Sequence, residues 1–268
     1  MSFLRDYLLA IRCFTRVPVA GAFGQPEVFT ADRLRASAGH FPGVGWLAGI
    51  LACAVFAFLG LALPVSPFTP FVAAVGCTIA TALLTGGAGE TGLARTIDAL
   101  PRDAPPRQAG IAAEPAQLRA GGALALVLLL LAKAGLLAAL AAGPPTAVLA
   151  ALLAGHVLSR FWPLWLPRAL QFLGDAAAGA SGPLAQPIGR QELFIAAAWS
   201  ALALAVAAIA EGPAFAIAGL AASGAAVLWM RRTLARRLQG FTRESVGATQ
   251  QVCEIAFYLG AAVGASIA

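Results

Sequence analysis

Seven apolar runs, each long enough or nearly long enough to cross a membrane, dominate the sequence. A helix needs about 20 residues to cross a hydrocarbon core of about 30 Å. The runs cover residues 41–63, 68–84, 122–142, 146–166, 193–210, 214–230 and 252–268. We therefore predict an all-α, polytopic integral membrane protein with about six to seven transmembrane helices. The runs at 68–84 and 252–268 are short, which leaves a tilted or re-entrant element open for each.

The composition supports the same class of protein. Of the 268 residues, 60% are hydrophobic and 11% are charged, whereas a soluble domain is about 45–50% apolar and about 25% charged. A water-soluble globule is therefore excluded. A disordered chain is excluded as well, because a chain this apolar can offset its ordering cost by burial. Since the runs and their connections use up the length, we predict a single integral membrane domain over residues 1–268.

The N-terminal segment, residues 1–40, mixes apolar and charged residues before the first long run. Arg5, Asp6, Arg12 and Arg16 interrupt its apolar residues, so the continuous apolar core of a cleaved signal peptide is missing and we expect the segment to be retained. The apolar residues around these charges recur at helical spacing. The pattern predicts an amphipathic helix that lies on the membrane surface.

Basic residues are confined to alternate connections between the runs. Short turns with Pro or Gly at 64–67, 143–145 and 211–213 join the runs into hairpins, and they contain no Lys or Arg. The N-terminal segment and the connections within 85–120, 167–192 and 231–251 together hold 16 of the 18 Lys and Arg residues. The positive-inside rule therefore predicts that these four segments are cytoplasmic and carry any charged site.

The same distribution bears on the partners. Basic residues at span ends, without interleaved aromatic residues, argue against nucleic-acid binding. The cluster Arg231, Arg232, Arg236 and Arg237 could retain the chain in its orientation or attract anionic lipid head groups. Glu211 is the sole acid of the opposite face, which disfavours a transporter of charged solutes.

Ionisable residues inside the runs are candidates for function, because a charge within the membrane is costly. His156 and Arg160 are four residues apart and share a helix face, from which Arg160 could reach a phosphate through two hydrogen bonds. Alternatively, Arg160 extends to the membrane surface beside Trp162. Lys133 could pair with Glu254 or line a cavity.

Two cytoplasmic connections carry candidate metal ligands. Residues 83–100 begin with a glycine-rich turn, and Glu90 and Asp98 follow it eight residues apart, close to one helix face. Two such carboxylates could hold a Mg²⁺ ion that bridges diphosphate oxygens; a glycine-rich membrane exit with incidental acids is the alternative. Glu244, after another turn, could supply a further carboxylate or cap the last helix.

The order of these features resembles the adenosylcobinamide-GDP ribazoletransferase (cobalamin synthase) family. The matching pieces are Phe-Thr-Arg-Val-Pro-Val at 14–19, Phe-Pro-Gly-Val-Gly at 41–45, the Thr-Gly-Gly frame with Asp98 at 85–98, Gly121 to Leu126 with Lys133, Ser159-Arg160, and Leu238 to Ala248. They occur in the family's order over some 230 residues. In the acidic motif, however, the family's His falls on Gly89 and two of its Asp residues fall on Thr91 and Arg95. The arginine at position 95 would repel a metal ion.

The resemblance implies a function, a cofactor and a location. It implies transfer of the activated cobinamide phosphate of adenosylcobinamide-GDP to α-ribazole or its 5′-phosphate, with release of GMP, at the cell inner membrane. Mg²⁺ is the implied cofactor, and Glu90 and Asp98 are the implied catalytic residues. The implied metal ligands are Glu90, Asp98 and Glu244, and the implied substrate-binding residues are Arg160, Ser159 and Arg119.

Alternatives to this function come from other classes. One is a catalytically silent homologue that binds an intermediate or acts as a scaffold; another is a membrane phosphotransferase that uses a different nucleotide-activated alcohol. Asp103 or Asp175 could replace missing carboxylates. Membrane lipid is an expected partner, and a second copy of the chain or other enzymes of cobalamin synthesis are further candidate partners.

Overall fold

A computed structural model describes residues 2–19, 30–100, 119–174, 182–185 and 187–267 of the chain. The described part is almost entirely helical, and its β-structure is limited to one isolated bridge between Phe172 and Phe241. The helices are α1 (Ser2–Phe14), α2 (Ala31–Ala38), α3 (Phe41–Ala62), α4 (Thr69–Thr85), α5 (Ala88–Ala99), α6 (Ala120–Leu140), α7 (Pro145–Phe161), α8 (Leu166–Ala169), α9 (Arg190–Glu211), α10 (Pro213–Arg237) and α11 (Arg243–Ile267). The all-α prediction is confirmed.

Five helical segments of the described chain are long and apolar enough to cross a membrane. They are α3, α6, α9, α10 and the segment Pro145–Ala169, in which a 3₁₀ turn joins α7 to α8. Counting α4 and α5 together as one bent span raises the number to six. The chain is therefore a polytopic membrane protein, with five or six candidate spans in the described residues where the sequence predicted six to seven.

The bend between α4 and α5 measures 88° and lies at two glycines. Gly86 and Gly87 have φ angles of 72° and 67°, which side chains other than glycine rarely adopt. The backbone N–H of Arg16 donates to the Leu84 carbonyl at 2.8 Å, and a Cβ on Gly86 would collide with the Arg16 guanidinium. From the sequence, a tilted or re-entrant element was one of the possibilities for residues 68–84. The structure shows a sharp bend at the end of this segment.

The last helix differs most from its prediction. The apolar run predicted at 252–268 is the second half of α11, which begins at Arg243. The Thr242 N–H donates to Ser245 Oγ at 2.9 Å and the Ser245 N–H donates to Thr242 Oγ1 at 3.3 Å, so each residue caps the other at the helix start. Gln250 and Gln251 are polar yet buried. Hydropathy therefore does not reveal the first part of α11, before residue 252.

Helix α7 lies at the centre of the bundle and is buried along most of its length. Glycines allow its neighbours to approach closely, as is common between membrane helices. A Cβ on Gly45 of α3 would lie 2.6 Å from the His156 carbonyl oxygen, and one on Gly155 would collide with the ring of Tyr258 on α11. These contacts fix α7, and with it His156 and Arg160, against two neighbouring helices.

The amphipathic helix predicted near the N-terminus is α1. Leu9 is buried, whereas Phe3 and Leu4 on the same short helix are exposed. The Tyr7 hydroxyl donates to the Gly43 carbonyl at 3.1 Å, which ties α1 to the start of α3. Burial at this junction lowers the pKa of His40 to about 4.

Candidate functional site

A cavity of about 320 Å³ opens at the end of the bundle where α1, α5, the end of α7 and the start of α11 meet. The described residues of its wall include three arginines, Arg95, Arg160 and Arg243, and one carboxylate, Glu244. Aromatic side chains, among them Phe41, complete the wall. Positive charge next to a partly apolar surface suits an organic anion, because arginines bind phosphate through paired hydrogen bonds.

Arg160 forms part of the wall from the end of α7. Its residue exposure is 2%, so it does not extend to the membrane surface beside Trp162, as one prediction had it. Nη1 donates to the His156 carbonyl at 2.7 Å, and the guanidinium carbon lies 5.9 Å from the centroid of the Phe41 ring. The side chain is thereby held in place while it faces the cavity.

Arg95 and Glu244 form an ion pair across α5 and α11. Arg95 Nη1 lies 3.8 Å from Glu244 Oε1, and both side chains are partly exposed at the cavity. The two helices approach closely at Gly92, where a Cβ would lie 2.6 Å from the Glu244 carbonyl oxygen. An anionic ligand can compete with Glu244 for Arg95, because an exposed ion pair of this kind is weak.

Glu90 is directed toward α11 rather than into the described cavity wall. Its Oε1 accepts a hydrogen bond from Gln251 Nε2 at 3.1 Å, and its buried Oε2 has no hydrogen-bond partner. On α11, Gln251 follows Glu244 by seven residues, which corresponds to about 10 Å along a helix axis. Glu90 therefore contacts α11 about two turns away from Glu244.

Asp98 binds the first turn of α6. Its Oδ2 accepts from the Arg119 N–H at 2.8 Å and its Oδ1 accepts from the Gly122 N–H at 2.7 Å. Both carboxylate oxygens thus satisfy backbone N–H groups that a helix start leaves without partners. Although Glu90 and Asp98 were predicted close to one face of α5, they contact different helices.

These positions decide how well the described residues fit a Mg²⁺ ion. No group of three or more His, Cys, Asp or Glu residues within the described ranges is arranged to hold a metal. Glu90, Asp98 and Glu244 are not brought together. Mg²⁺ is often bound by one or two carboxylates plus the phosphates of a substrate, and Glu244, which faces the cavity, fits an ion that arrives with a diphosphate.

The two other predicted substrate-binding residues lie outside the described cavity wall. Ser159 is fully buried, and its Oγ donates to the His156 carbonyl at 3.2 Å. Arg119 precedes α6 and contributes its backbone N–H to Asp98. Asp103 and Asp175, proposed as replacements for missing acids, lie outside the described residues.

Sequence reasoning did not assign Arg95 and Arg243 to the cavity. Arg95 was noticed because it would repel a metal ion, and the same charge would have indicated an anion site. Arg243 directly precedes Glu244 and begins α11. Its positive charge beside a predicted ligand would likewise have indicated an anion site. The close approach of α5 and α11 depends on small residues far apart in the sequence, and no local pattern reveals it.

Cys13 also lies in the cavity wall, at the end of α1. Cys13 is exposed, but desolvation by the surrounding wall raises the pKa of its thiol, and Arg12 and Arg243 oppose this increase with their positive charges. Among the four cysteines Cys13 alone is exposed; Cys77 and Cys253 are buried and Cys53 is half-buried. It is therefore a natural position for a chemical probe of the cavity.

The fold and the cavity together define a polytopic membrane protein with a cavity whose described wall contains three arginines. The chain matches the family model for cobalamin-5-phosphate synthase over residues 6–262. It belongs to that family.

Curated relatives support the same assignment. An adenosylcobinamide-GDP ribazoletransferase of a Polaromonas species is 45% identical over 275 residues, which cover 98% of each chain. The ribazoletransferases of Albidiferax ferrireducens and Leptothrix cholodnii are 44% and 38% identical and cover 98% and 96% of this chain and 99% and 94% of their own lengths. No solved structure gives a significant match.

Proposed function

We propose that the chain is an adenosylcobinamide-GDP ribazoletransferase. It would transfer the phosphate-linked cobinamide of adenosylcobinamide-GDP to α-ribazole or its 5′-phosphate, and release GMP. The observation that carries the proposal is the cavity wall, in which Arg95, Arg160 and Arg243 converge at one end of a membrane-embedded bundle. The activity for which the relatives are named requires a diphosphate to be bound, and this wall has the charge for that task.

The reaction exchanges one bond to phosphorus for another. A hydroxyl oxygen of the acceptor attacks the phosphorus that carries cobinamide, the bond from that phosphorus to the bridging oxygen breaks, and GMP leaves with the bridging oxygen. The hydroxyl proton passes to solvent. Phosphoryl transfer requires positioning and stabilisation of charge more than covalent work by the protein, and the arginines supply both.

The charged residues of the wall have distinct tasks. Arg160, held by the His156 carbonyl, binds the diphosphate at the inner wall, whereas Arg95 exchanges Glu244 for a phosphate oxygen when the donor enters. Glu244, released from Arg95, would be the ligand for Mg²⁺. The ion would supply further positive charge to the diphosphate.

The membrane context extends the proposal. The cavity lies at the bundle end that carries the basic connections, and by the positive-inside rule this supports a cytoplasmic location for the cavity, in a chain that we propose resides in the inner membrane. There, soluble nucleotide-linked substrates are available. The basic residues at the end of α10, Arg236 and Arg237, would lie at anionic lipid head groups.

One rival function has an observation in its favour. Asp98 uses both of its oxygens to cap α6, and Glu90 bonds to Gln251, so two predicted catalytic acids have structural partners. A catalytically silent protein that binds the donor or acts as a scaffold would keep this fold and its cavity.

A complementation experiment separates the two functions. Cells that lack their own ribazoletransferase and depend on cobinamide receive this chain, or its Arg160→Ala variant at equal membrane abundance. Growth with the wild-type chain and loss of growth with the variant support the transferase. No growth with abundant wild-type chain would favour the silent homologue.

A further inference from the structure

Beneath the cavity, four polar side chains from three helices meet where the bundle is otherwise apolar. Lys133 comes from α6, His156 from α7, and Glu254 and Tyr258 from α11; each is at most 2% exposed. Ionisable groups at such depth are costly and usually serve a function. The transfer chemistry proposed above makes no direct use of any of them.

Glu254 is the centre of this cluster. Its Oε1 lies 2.5 Å from Lys133 Nζ, accepts a hydrogen bond from the Tyr258 hydroxyl at 2.9 Å, and lies 3.5 Å from His156 Nδ1. Its Oε2 is buried without a hydrogen-bond partner. One carboxylate oxygen thus holds groups from all three helices together.

His156 connects this cluster to the cavity wall. Its Nδ1 also lies 3.4 Å from Arg160 Nη1, the atom that donates to the His156 carbonyl. Since a ring nitrogen either carries a hydrogen or offers a lone pair, Nδ1 can donate to Glu254 or accept from Arg160, but not both at once. The imidazole of His156 therefore couples the Glu254 carboxylate to the Arg160 guanidinium, because a hydrogen bond to one excludes a hydrogen bond to the other.

We propose that Glu254, acting through His156 and together with Lys133, is a positioning residue for Arg160. It sets the direction in which the guanidinium faces the donor's diphosphate. When the diphosphate takes hydrogen bonds from Arg160, the neutral imidazole of His156 carries its hydrogen on Nδ1 instead of Nε2, and the Glu254 carboxylate accepts from that Nδ1–H and stabilises this tautomer. The proposal rests on the proposed function and adds residues that touch neither substrate.

The double variant Lys133→Met/Glu254→Gln tests the proposal, because it removes both members of the buried ion pair at once. Removal of Glu254 alone would leave Lys133 as an uncompensated buried charge. We measure the Kd of adenosylcobinamide-GDP by calorimetry with the full chain in detergent, and the KM of each substrate. The expected result is donor binding weakened on the order of tenfold to a hundredfold, as for a misplaced binding group, with the acceptor KM unchanged.

A mutant cycle that combines the double variant with Arg160→Lys distinguishes a positioning role of Glu254 from a general loss of protein structure. If Glu254 acts through Arg160, the triple variant binds the donor no more weakly than Arg160→Lys alone, because coupled residues are not additive. Fully additive losses, or donor binding at the wild-type level in the double variant, would overturn the proposal. Glu211→Gln at the end of α9 is the control and should leave donor binding unchanged.

Two further measurements keep the test decisive. If the double variant does not fold, Glu254→Asp keeps the charge but shortens the side chain, and it should weaken donor binding in the same direction; unchanged binding would contradict positioning. If the wild-type chain binds no donor, the proposed function fails. If the wild-type chain binds donor but Arg160→Lys has no effect, the positioning proposal alone fails.

Discussion

Asp98 holds the start of α6 through Gly122, whose N–H donates to Asp98 Oδ1 at 2.7 Å. The contact joins residues 24 positions apart and brings α5 against α6. A Cβ on Gly122 would lie 2.5 Å from the Ala94 carbonyl oxygen, so the glycine is needed for the helices to approach. Asp98 is thus part of the packing between α5 and α6.

Replacement of Asp98 tests this capping role against the catalytic role that the resemblance implies. We expect Asp98→Ala to lower the free energy of unfolding by about 0.5–2 kcal/mol, the usual cost of losing a helix cap. Thermal unfolding in detergent measures it. Turnover is then compared at a temperature where the variant is folded: turnover near wild type supports capping, and abolished turnover with unchanged stability supports a catalytic acid.

The membrane class, the hairpins and the N-terminal helix were predictable because hydropathy and turn residues act locally. Helix α4 ends at the glycines that the sequence marks, and α6 and α7 are separated at the predicted turn. The start of α11 could not be read in this way, because Gln250 and Gln251 are polar and become buried only against other helices.

The residues of the candidate site were likewise predictable only where the signal is local in the sequence. Arg160 was predictable as a candidate site residue, because a charge within an apolar run is costly and usually serves a function. The partners of Asp98 and Glu90 were not, because helix spacing gives the face of α5 on which they lie but not the helix that covers it. The pairing of Lys133 with Glu254 was one alternative for Lys133, and the structure confirms it.

Arg95 is expected to bind the donor rather than to stabilise the fold. Because its ion pair with Glu244 is exposed and weak, Arg95→Gln should leave the melting temperature nearly unchanged. Loss of a charged hydrogen bond to the diphosphate should raise the donor KM about tenfold. Steady-state kinetics measure this change, and Arg236→Gln at the end of α10 is the matched control. An unchanged donor KM in Arg95→Gln would contradict the assignment.

Cys13 should report occupancy of the cavity. Maleimide reacts with the thiolate, and desolvation raises the pKa of this exposed thiol, so alkylation should be slow near neutral pH and accelerate as the pH rises. Saturating adenosylcobinamide-GDP should slow the reaction several-fold, as measured by mass spectrometry of the modified chain. Equal rates with and without donor would place the donor elsewhere.

The packing of α3 against α7 can be tested with two glycines of the same helix. Gly45→Ala would place a Cβ 2.6 Å from the His156 carbonyl oxygen, whereas nothing lies within 4 Å of a Cβ on Gly60. We expect Gly45→Ala to destabilise the protein by about 1–3 kcal/mol, the usual cost of overpacking, and Gly60→Ala to have no such effect. Thermal unfolding compares them, and equal stability of the two variants would refute the close approach.

We expect this chain to catalyse the transfer itself. The most direct measurement is GMP release by the purified chain from adenosylcobinamide-GDP with α-ribazole and Mg²⁺, repeated with EDTA and with Arg160→Ala. The expected result is GMP release that requires α-ribazole, decreases in EDTA and is lost in the variant. No release by the folded wild-type chain, beside an active relative under the same conditions, would contradict it.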